Sequence, residues 1–201
     1  MNRVEQERQY WDEAAHSDNL RNEFICDKNV ADDPCVEVIA DAIVGALGSP
    51  TPQVVEIGCG IGRLTTPLAE RFPHATFHGY DISFSILGHA PAAPNVFYEV
   101  NDGRNLPIPQ GFEVDAVYSM LVFQHIDADG IESYIKEAGR VLRLGGVFVF
   151  QFIEGDEAEP FSRHYSMDQI QAWLVDNDLY VTSYKKGQID QNWTWVKAVK
   201  R

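Results

Sequence analysis

The spacing of apolar positions changes several times along the chain, and each change marks an element. From Asp33-Pro34 onward, Val36, Ile39, Ile43 and Leu47 recur on one face of a helix. Asp suits its N-cap and Pro its first position, while Gly48, Pro50 and Pro52 end it. "QVVEI" then reads as a short buried strand. "RLTTPLAERF" reads as a helix with Leu64, Leu68 and Phe72 on one stripe, and "ATFHGYD" as a strand ending on Asp81. "NVFYEV" and "VDAVYSMLV" are two more strands. Ile131, Tyr134, Ile135, Ala138, Val141 and Leu142 trace an amphipathic helix, which "LRLGG" should stop with Gly145 as a left-handed cap. "VFVFQFI" is an unbroken apolar run, as expected of a central strand covered on both faces.

Strands alternating with helices predict a doubly wound α/β fold with a parallel sheet. The end of the chain departs from that rhythm. Ser166 and Gln169 form a capping-box pattern before "SMDQIQAWLVDN". "LYVTSY" and "NWTWVKAVKR" follow with only "KKGQIDQ" between them, too short for a helix. Two strands joined that way are antiparallel. The expected sheet therefore has seven strands, mostly parallel, with a C-terminal antiparallel hairpin. The first thirty or so residues are polar with scattered aromatics (Tyr10, Trp11, Phe24) and predict short helices that form a cover.

The chain has 201 residues, of which 45% are hydrophobic. That suits one domain: a cover over residues 1–32 and a core over 33–201. No apolar run reaches the length of a membrane span, and the charged N-terminus is unlike a secretory signal. The cysteines Cys26, Cys35 and Cys59 form no even framework, so a reduced, cytoplasmic setting is expected. The net charge of -14 disfavours nucleic acid and anionic lipid as partners and favours a small or cationic substrate. The same acidity also serves plain solubility.

"VVEIGCGIGR" carries candidate chemistry. Gly58, Gly60 and Gly62 follow the first strand directly, where a helix N-terminus offers free N–H groups and glycine lets a ligand approach the backbone. Asp81, at the end of the next strand, is placed to accept from ribose hydroxyls. A dinucleotide loop reads G-x-G-x-x-G; here the third glycine comes one residue early and Arg63 takes the sixth position. Glu56 sits two residues before the loop. An acid is unwelcome beside a pyrophosphate but suits a cofactor carrying an ammonium and a sulfonium.

With "HGYDIS", "NDGRNLPIP", "FEVDAVYSMLVFQHI" and "AGRVLRLGGVFVFQF" following in order, the chain resembles the class I S-adenosylmethionine-dependent methyltransferases from about Pro34 to its C-terminus. The resemblance implies a Rossmann-like core and S-adenosylmethionine as cofactor, leaving as S-adenosylhomocysteine. It implies that Glu56 and the loop Gly58, Cys59, Gly60, Gly62 and Arg63 embrace the methionine and ribose parts. Asp81 would hold the ribose, and Ile82 would pack on adenine. Asn101, Asp102 and Gly103 match the adenine-recognition position, and Ser119 and Met120 would lie under the methionine part. Asp102 in "NDGRN" is also a natural turn former.

The implied reaction is in-line methyl transfer, in which positioning and exclusion of water do much of the work. His125, after the fourth strand, is the candidate base; shaping the pocket is its other role. Gln124, His164 and Tyr165 are candidate substrate contacts, Tyr165 alternatively a staple for the last helix. Tyr10 and Trp11 resemble the cover that closes over the cofactor in relatives. Glu154 and Asp156 follow the fifth strand, yet the fourth ends without an acid, so no metal is expected. A base-modifying enzyme is disfavoured because "YSMLVF" lacks an acid or Asn followed by Pro-Pro, and Pro34-Cys35 lies far from the fourth strand. The expected function is methylation of a small molecule on O or N. The rivals are a protein or RNA methyltransferase, a silent cofactor-binding regulator and a nicotinamide oxidoreductase.

Overall fold

A computed structural model of the chain describes residues 2–16, 33–155, 163–187 and 193–201. Its helices are α1 (Arg3–Ala15), α2 (Pro34–Ile43), α3 (Thr65–Arg71), α4 (Phe84–Leu87), α5 (Ala128–Val141) and α6 (Met167–Val175). Its strands are β1 (Gln53–Ile57), β2 (Thr76–Asp81), β3 (Val96–Val100), β4 (Val114–Ser119), β5 (Leu142–Glu154), β6 (His164–Tyr165), β7 (Leu179–Lys186) and β8 (Trp193–Lys200).

The strands form one sheet in the order β3-β2-β1-β4-β5-β8-β7, with the two-residue β6 beside β5. The first five strands run parallel. β8 is antiparallel to both β5 and β7, so the C-terminal hairpin is present as expected. The strand order reverses between β1 and β4. Ligands of open α/β sheets bind in the crevice outside the C-terminal strand ends at such a point.

Alternate residues of each central strand feed opposite cores, which is why these strands read as unbroken apolar runs. Val54, Val147 and Val149 join Ile39, Ile43 and Leu68 under α2 and α3. Val55, Phe148, Phe150 and Phe152 join Ile131, Ile135 and Ile170 under α5 and α6. Asp33 caps α2 through the N–H of Cys35, 2.8 Å away, and Ser166 caps α6 through the N–H of Gln169.

Five details correct the reading from sequence. β6 makes the sheet eight-stranded among the described residues, because His164 pairs with Ile153 on the way into α6. α5 ends at Val141, and Leu142 turns extended to pair with Val114 of β4. Gly145 is left-handed (φ +77°), but it lies inside the irregular start of β5 and is not the helix cap. β4 stops at Ser119 instead of Val122, since Leu121 takes φ +60° and cannot continue a strand. The expected helix after Asp33 also tightens into a 3-10 turn over Val44–Ala46.

α1 supplies the described part of the cover; Phe24 and Cys26 lie outside the described residues. Asn2 and Glu5 form a reciprocal capping box at its start. Asp12, near its end, accepts from the Ser83 hydroxyl at 2.5 Å and the Ser85 N–H at 3.3 Å, which ties α1 to the start of α4. Burial lifts the Asp12 carboxyl, but these bonds outweigh it and hold the group below its usual range.

Candidate active site

The β1–α3 loop is built from backbone that favours glycine. Gly58, Gly60 and Gly62 have φ of +72°, +55° and +78°. Space excludes side chains as well: a Cβ on Gly58 would come within 2.3 Å of Val122, and one on Gly62 within 2.2 Å of the Tyr98 hydroxyl. The N–H groups of Gly58 and Cys59 both donate to the Tyr80 carbonyl, at 2.7 and 3.1 Å, so the loop hangs from the end of β2.

Asp81 locks the loop in place. Its Oδ2 accepts from the Gly60 N–H and its Oδ1 from the Ser83 N–H, both at 2.9 Å. Asp81 also lines the cavity at the C-terminal strand ends. Burial lifts the Asp81 carboxyl above its usual range, and Asp12 adds to the lift against the backbone bonds.

Glu56 is 3% exposed. Its Oε2 accepts from the hydroxyls of Thr65 and Tyr118, the latter at 2.9 Å. Burial, with Asp81 adding repulsion, pushes its carboxyl up to about 8 despite these donors. A buried carboxyl in that condition favours the neutral form until a cation arrives.

Glu56, Gly58, Cys59, Gly60, Arg63, Asp81, Ile82, Asn101, Gly103, Met120, His125 and Trp11 all line one cavity at the C-terminal strand ends. Its empty volume is about 900 Å³, counting the open mouth. Arg63 is also ion-paired with Asp33. The Asn101 amide donates to the Tyr134 hydroxyl at 2.9 Å and accepts from the Gly103 N–H at 3.1 Å. Gly103 has φ +82°, and a Cβ there would meet Ile82 at 2.7 Å.

Other expected site residues stand elsewhere. Gly62 shapes the loop from behind, against Tyr98. Ser119 spends its hydroxyl on the Ile57 carbonyl at 3.0 Å. Asp102 points into its own turn: Oδ1 accepts from the Arg104 and Asn105 N–H groups, and Oδ2 from the Asn105 amide at 2.7 Å. Tyr165 donates to the Ile126 carbonyl at 2.5 Å and packs on Trp173, so it fastens β6 to the segment after β4. His164 lies in β6, Tyr10 is 41% exposed against Trp11, and the Gln124 side chain meets His125 Nε2 at 3.2 Å. Glu154 is engaged by Lys186 and Thr194, and Asp156 lies outside the described residues.

The cavity also takes residues that sequence reasoning missed, among them Glu7, Leu121, Val122 and Tyr134. Glu7 had a signal: it stands one helical turn before Trp11, on the same face. Tyr134 was read as a core position, and it is one, yet its hydroxyl end reaches the cavity. Leu121 had none, because left-handed backbone at a leucine leaves no mark in sequence.

Residues 54–146 match the family model of a methyltransferase domain. Among sequence relatives, the chain is 33% identical over 112 residues to a malonyl-[acyl-carrier protein] O-methyltransferase of Hahella chejuensis, covering 54% of this chain and 39% of that protein. It is 37% identical over 105 residues to a trans-aconitate 2-methyltransferase of Deinococcus radiodurans, covering 51% and 38%. The chain therefore spans about two fifths of the length of these relatives. Among solved structures, magnesium protoporphyrin IX methyltransferase from Synechocystis with bound S-adenosylhomocysteine superposes with a TM-score of 0.76 at 18% identity, covering 96% of this chain and 98% of that one. That likeness is one of fold. Among the described residues, no helix is long and apolar enough to cross a membrane.

Proposed function

We propose that this chain, a class I S-adenosylmethionine-dependent methyltransferase by motif order, matched domain and fold, transfers a methyl group to a small-molecule acceptor. The observation that carries the reading is Glu56: a desolvated carboxyl on the cavity wall whose two hydroxyl donors, Thr65 and Tyr118, both meet Oε2. Such a group fits a ligand with a cationic end and would repel a pyrophosphate. Asp81 fits a ribose, since its carboxylate stands at the end of β2, next to the glycine loop, and lines the same cavity. Ile82, packed on Gly103, would offer the adenine an apolar face, and Asn101 with Tyr134 would fix the edge of that slot. The bound cofactor would supply a methyl group already activated by its sulfonium.

The chain's own contribution is then geometric. The glycine loop and Asp81 would set the cofactor's position, while Met120 and Leu121 would form the wall beneath it. α1 would shut out water through Trp11. His125 would orient the acceptor from the segment after β4. The Gln124 side-chain amide, 3.2 Å from the His125 Nε2, would help to set the orientation of the ring. The relatives named for malonyl-[acyl-carrier protein] and trans-aconitate support a metabolite-like acceptor, and the first of these names supports oxygen as the acceptor atom; nitrogen is the alternative.

Calorimetry of the full chain against S-adenosylhomocysteine and NAD tests the reading. It expects S-adenosylhomocysteine to bind and NAD not to. Tight NAD binding without S-adenosylhomocysteine binding would overturn it.

A further inference from the structure

Two buried hydroxyls converge on the acid beside the glycine loop. Glu56 of β1 and Tyr118 of β4 are register partners on neighbouring strands, at the point where the strand order reverses. The Tyr118 hydroxyl donates to Glu56 Oε2 at 2.9 Å. The hydroxyl of Thr65, the first residue of α3, donates to the same oxygen, and the Thr65 N–H also bonds the carboxylate. Thr65 and Tyr118 are each 0% exposed, while Glu56 lines the cavity. Whatever the two hydroxyls do for a ligand there, they do through Glu56.

A buried tyrosine needs a partner for its hydroxyl, and a backbone carbonyl would satisfy that need. Here the partner is an acid, so the donors act on its proton. Burial, with the charge of Asp81 at the end of β2, drives Glu56 towards its neutral form, and the Thr65 and Tyr118 donors favour the ionised one. The other titratable groups around Glu56 are Cys59 of the loop, Tyr98 of β3 and Tyr118 itself. Burial lifts all three, so they keep their protons from pH 6 to 9. Resting on the methyltransferase reading above, we propose that Thr65 and Tyr118 are positioning residues for cofactor binding: their hydroxyls keep Glu56 able to give its proton to solvent as the ammonium end of S-adenosylmethionine takes that proton's place. The consequence is specific in pH. The complex holds Glu56 ionised with or without a given hydroxyl, so a variant lacking one binds as the wild type does once pH exceeds the titration of the acid. Below it, the variant must first shed a proton that is held more tightly, and its affinity falls. A charge-assisted hydrogen bond is strong enough to move that titration by about one pH unit, the equivalent of a tenfold change in affinity.

Calorimetry of the full chain against S-adenosylhomocysteine, which carries the same ammonium, from pH 6 to 9 is the test. Tyr118→Phe and Thr65→Val each remove one hydroxyl with little change of shape. Each should bind about tenfold more weakly than the wild type at pH 6–7 and within about twofold of it at pH 9. The ratio to wild type cancels the ligand's own titration. Thr65→Ser should bind as the wild type does across the range, and in a Glu56→Gln background Tyr118→Phe should leave the pH profile unchanged. A loss by the same factor at every pH, wild-type affinity in both variants at pH 6, or Thr65→Ser behaving as Thr65→Val would each overturn the proposal. Should Tyr118→Phe fail to fold, Thr65→Val against Thr65→Ser decides alone. If the wild type binds no S-adenosylhomocysteine at any pH, the methyltransferase reading falls and this inference with it; wild-type binding with a pH-independent loss in the variants sinks this inference only.

Discussion

The indole of Trp11 stands edge-on to the imidazole of His125, so a residue of the N-terminal helix and a residue beyond β4 meet across the cavity mouth. α1 is otherwise polar; Ala14 and Ala15 are its fully buried residues, and Asp12 is its hydrogen-bonded anchor to α4. Trp11 should therefore carry a large share of its docking. Burying such a side chain contributes about 2 kcal/mol. Trp11→Ala should speed amide hydrogen exchange in α1 by about tenfold or more while leaving β1 and β4 protected. Unchanged protection in α1 would show that the helix is held by other means.

Asp81 closes the glycine loop and, on the proposed reading, would offer the ribose acceptors from the same group. Asp81→Ala should weaken S-adenosylhomocysteine binding by about 2–4 kcal/mol, roughly 30- to 1000-fold, because two backbone donors lose their partner along with the ligand. Asp81→Asn should also weaken it. Its single carbonyl oxygen can serve Gly60 or Ser83, and its amide must then face the other N–H. Calorimetry on both variants checks this, and wild-type affinity in either would contradict the loop's dependence on the carboxylate.

The raised carboxyl of Glu56 makes stability and binding respond to pH in opposite directions. Its folded pKa of about 8 lies above the ordinary 4.5, so between those values the folded chain holds the extra proton. Stability should fall as pH rises through that window. Asp81 and Glu7, also lifted by burial, act with the same sign. Binding of the ammonium-bearing cofactor should instead tighten with pH over the same window, releasing a proton. Denaturant melts from pH 5 to 8, with Glu56→Gln flattening the slope in part, are the measurement. A flat wild-type profile would argue against the buried acid.

Leu121 holds a left-handed backbone at φ +60° on the cavity wall, a conformation that costs a leucine roughly 1 kcal/mol. Leu121→Asn accepts that conformation more readily. It should raise the melting temperature by about 2–4 °C for a chain of this size, and it should lower turnover by removing an apolar wall. A drop in melting temperature would show that the leucine's packing outweighs its strain.

Gly58 is constrained twice, by φ +72° and by Val122 at 2.3 Å from its absent Cβ. Gly58→Ala should destabilise by more than the roughly 1–2 kcal/mol of the backbone term alone. Adding Val122→Ala should recover the part owed to contact and leave the part owed to φ. Additive losses in the double mutant, seen in denaturant midpoints, would mean that the two sites do not touch.

What could be read in advance follows the range of the interactions involved. The alternation of β1 to β5 with helices, the antiparallel tail and the placing of Glu56, Gly60 and Asp81 around one opening rest on local pattern and strand order. The end of α5 was misread because Leu142 joins Val114, a pairing across 28 residues that no local signal carries. The apolar pattern carries β4 three residues too far, because Met120-Leu121-Val122 looks like strand until Leu121 adopts φ +60°. Asp102 and Ser119 fit the family pattern by position, yet a turn and the Ile57 carbonyl occupy their polar atoms. Glu7 was passed over because a glutamate on a polar helix reads as solvated until the helix is laid across the cavity.

β1 and β2 pair without a slip from Gln53–Thr76 to Ile57–Tyr80. Side chains alternate faces along a strand, so one residue inserted between Thr76 and Asp81 would turn the Asp81 carboxylate away from Gly60. The Gly88–Asn95 connection carries no such constraint. Over evolutionary time, descendants of this chain can drift in length at Gly88–Asn95 while the count of residues in β2 stays fixed, which makes that count a ruler for aligning distant copies.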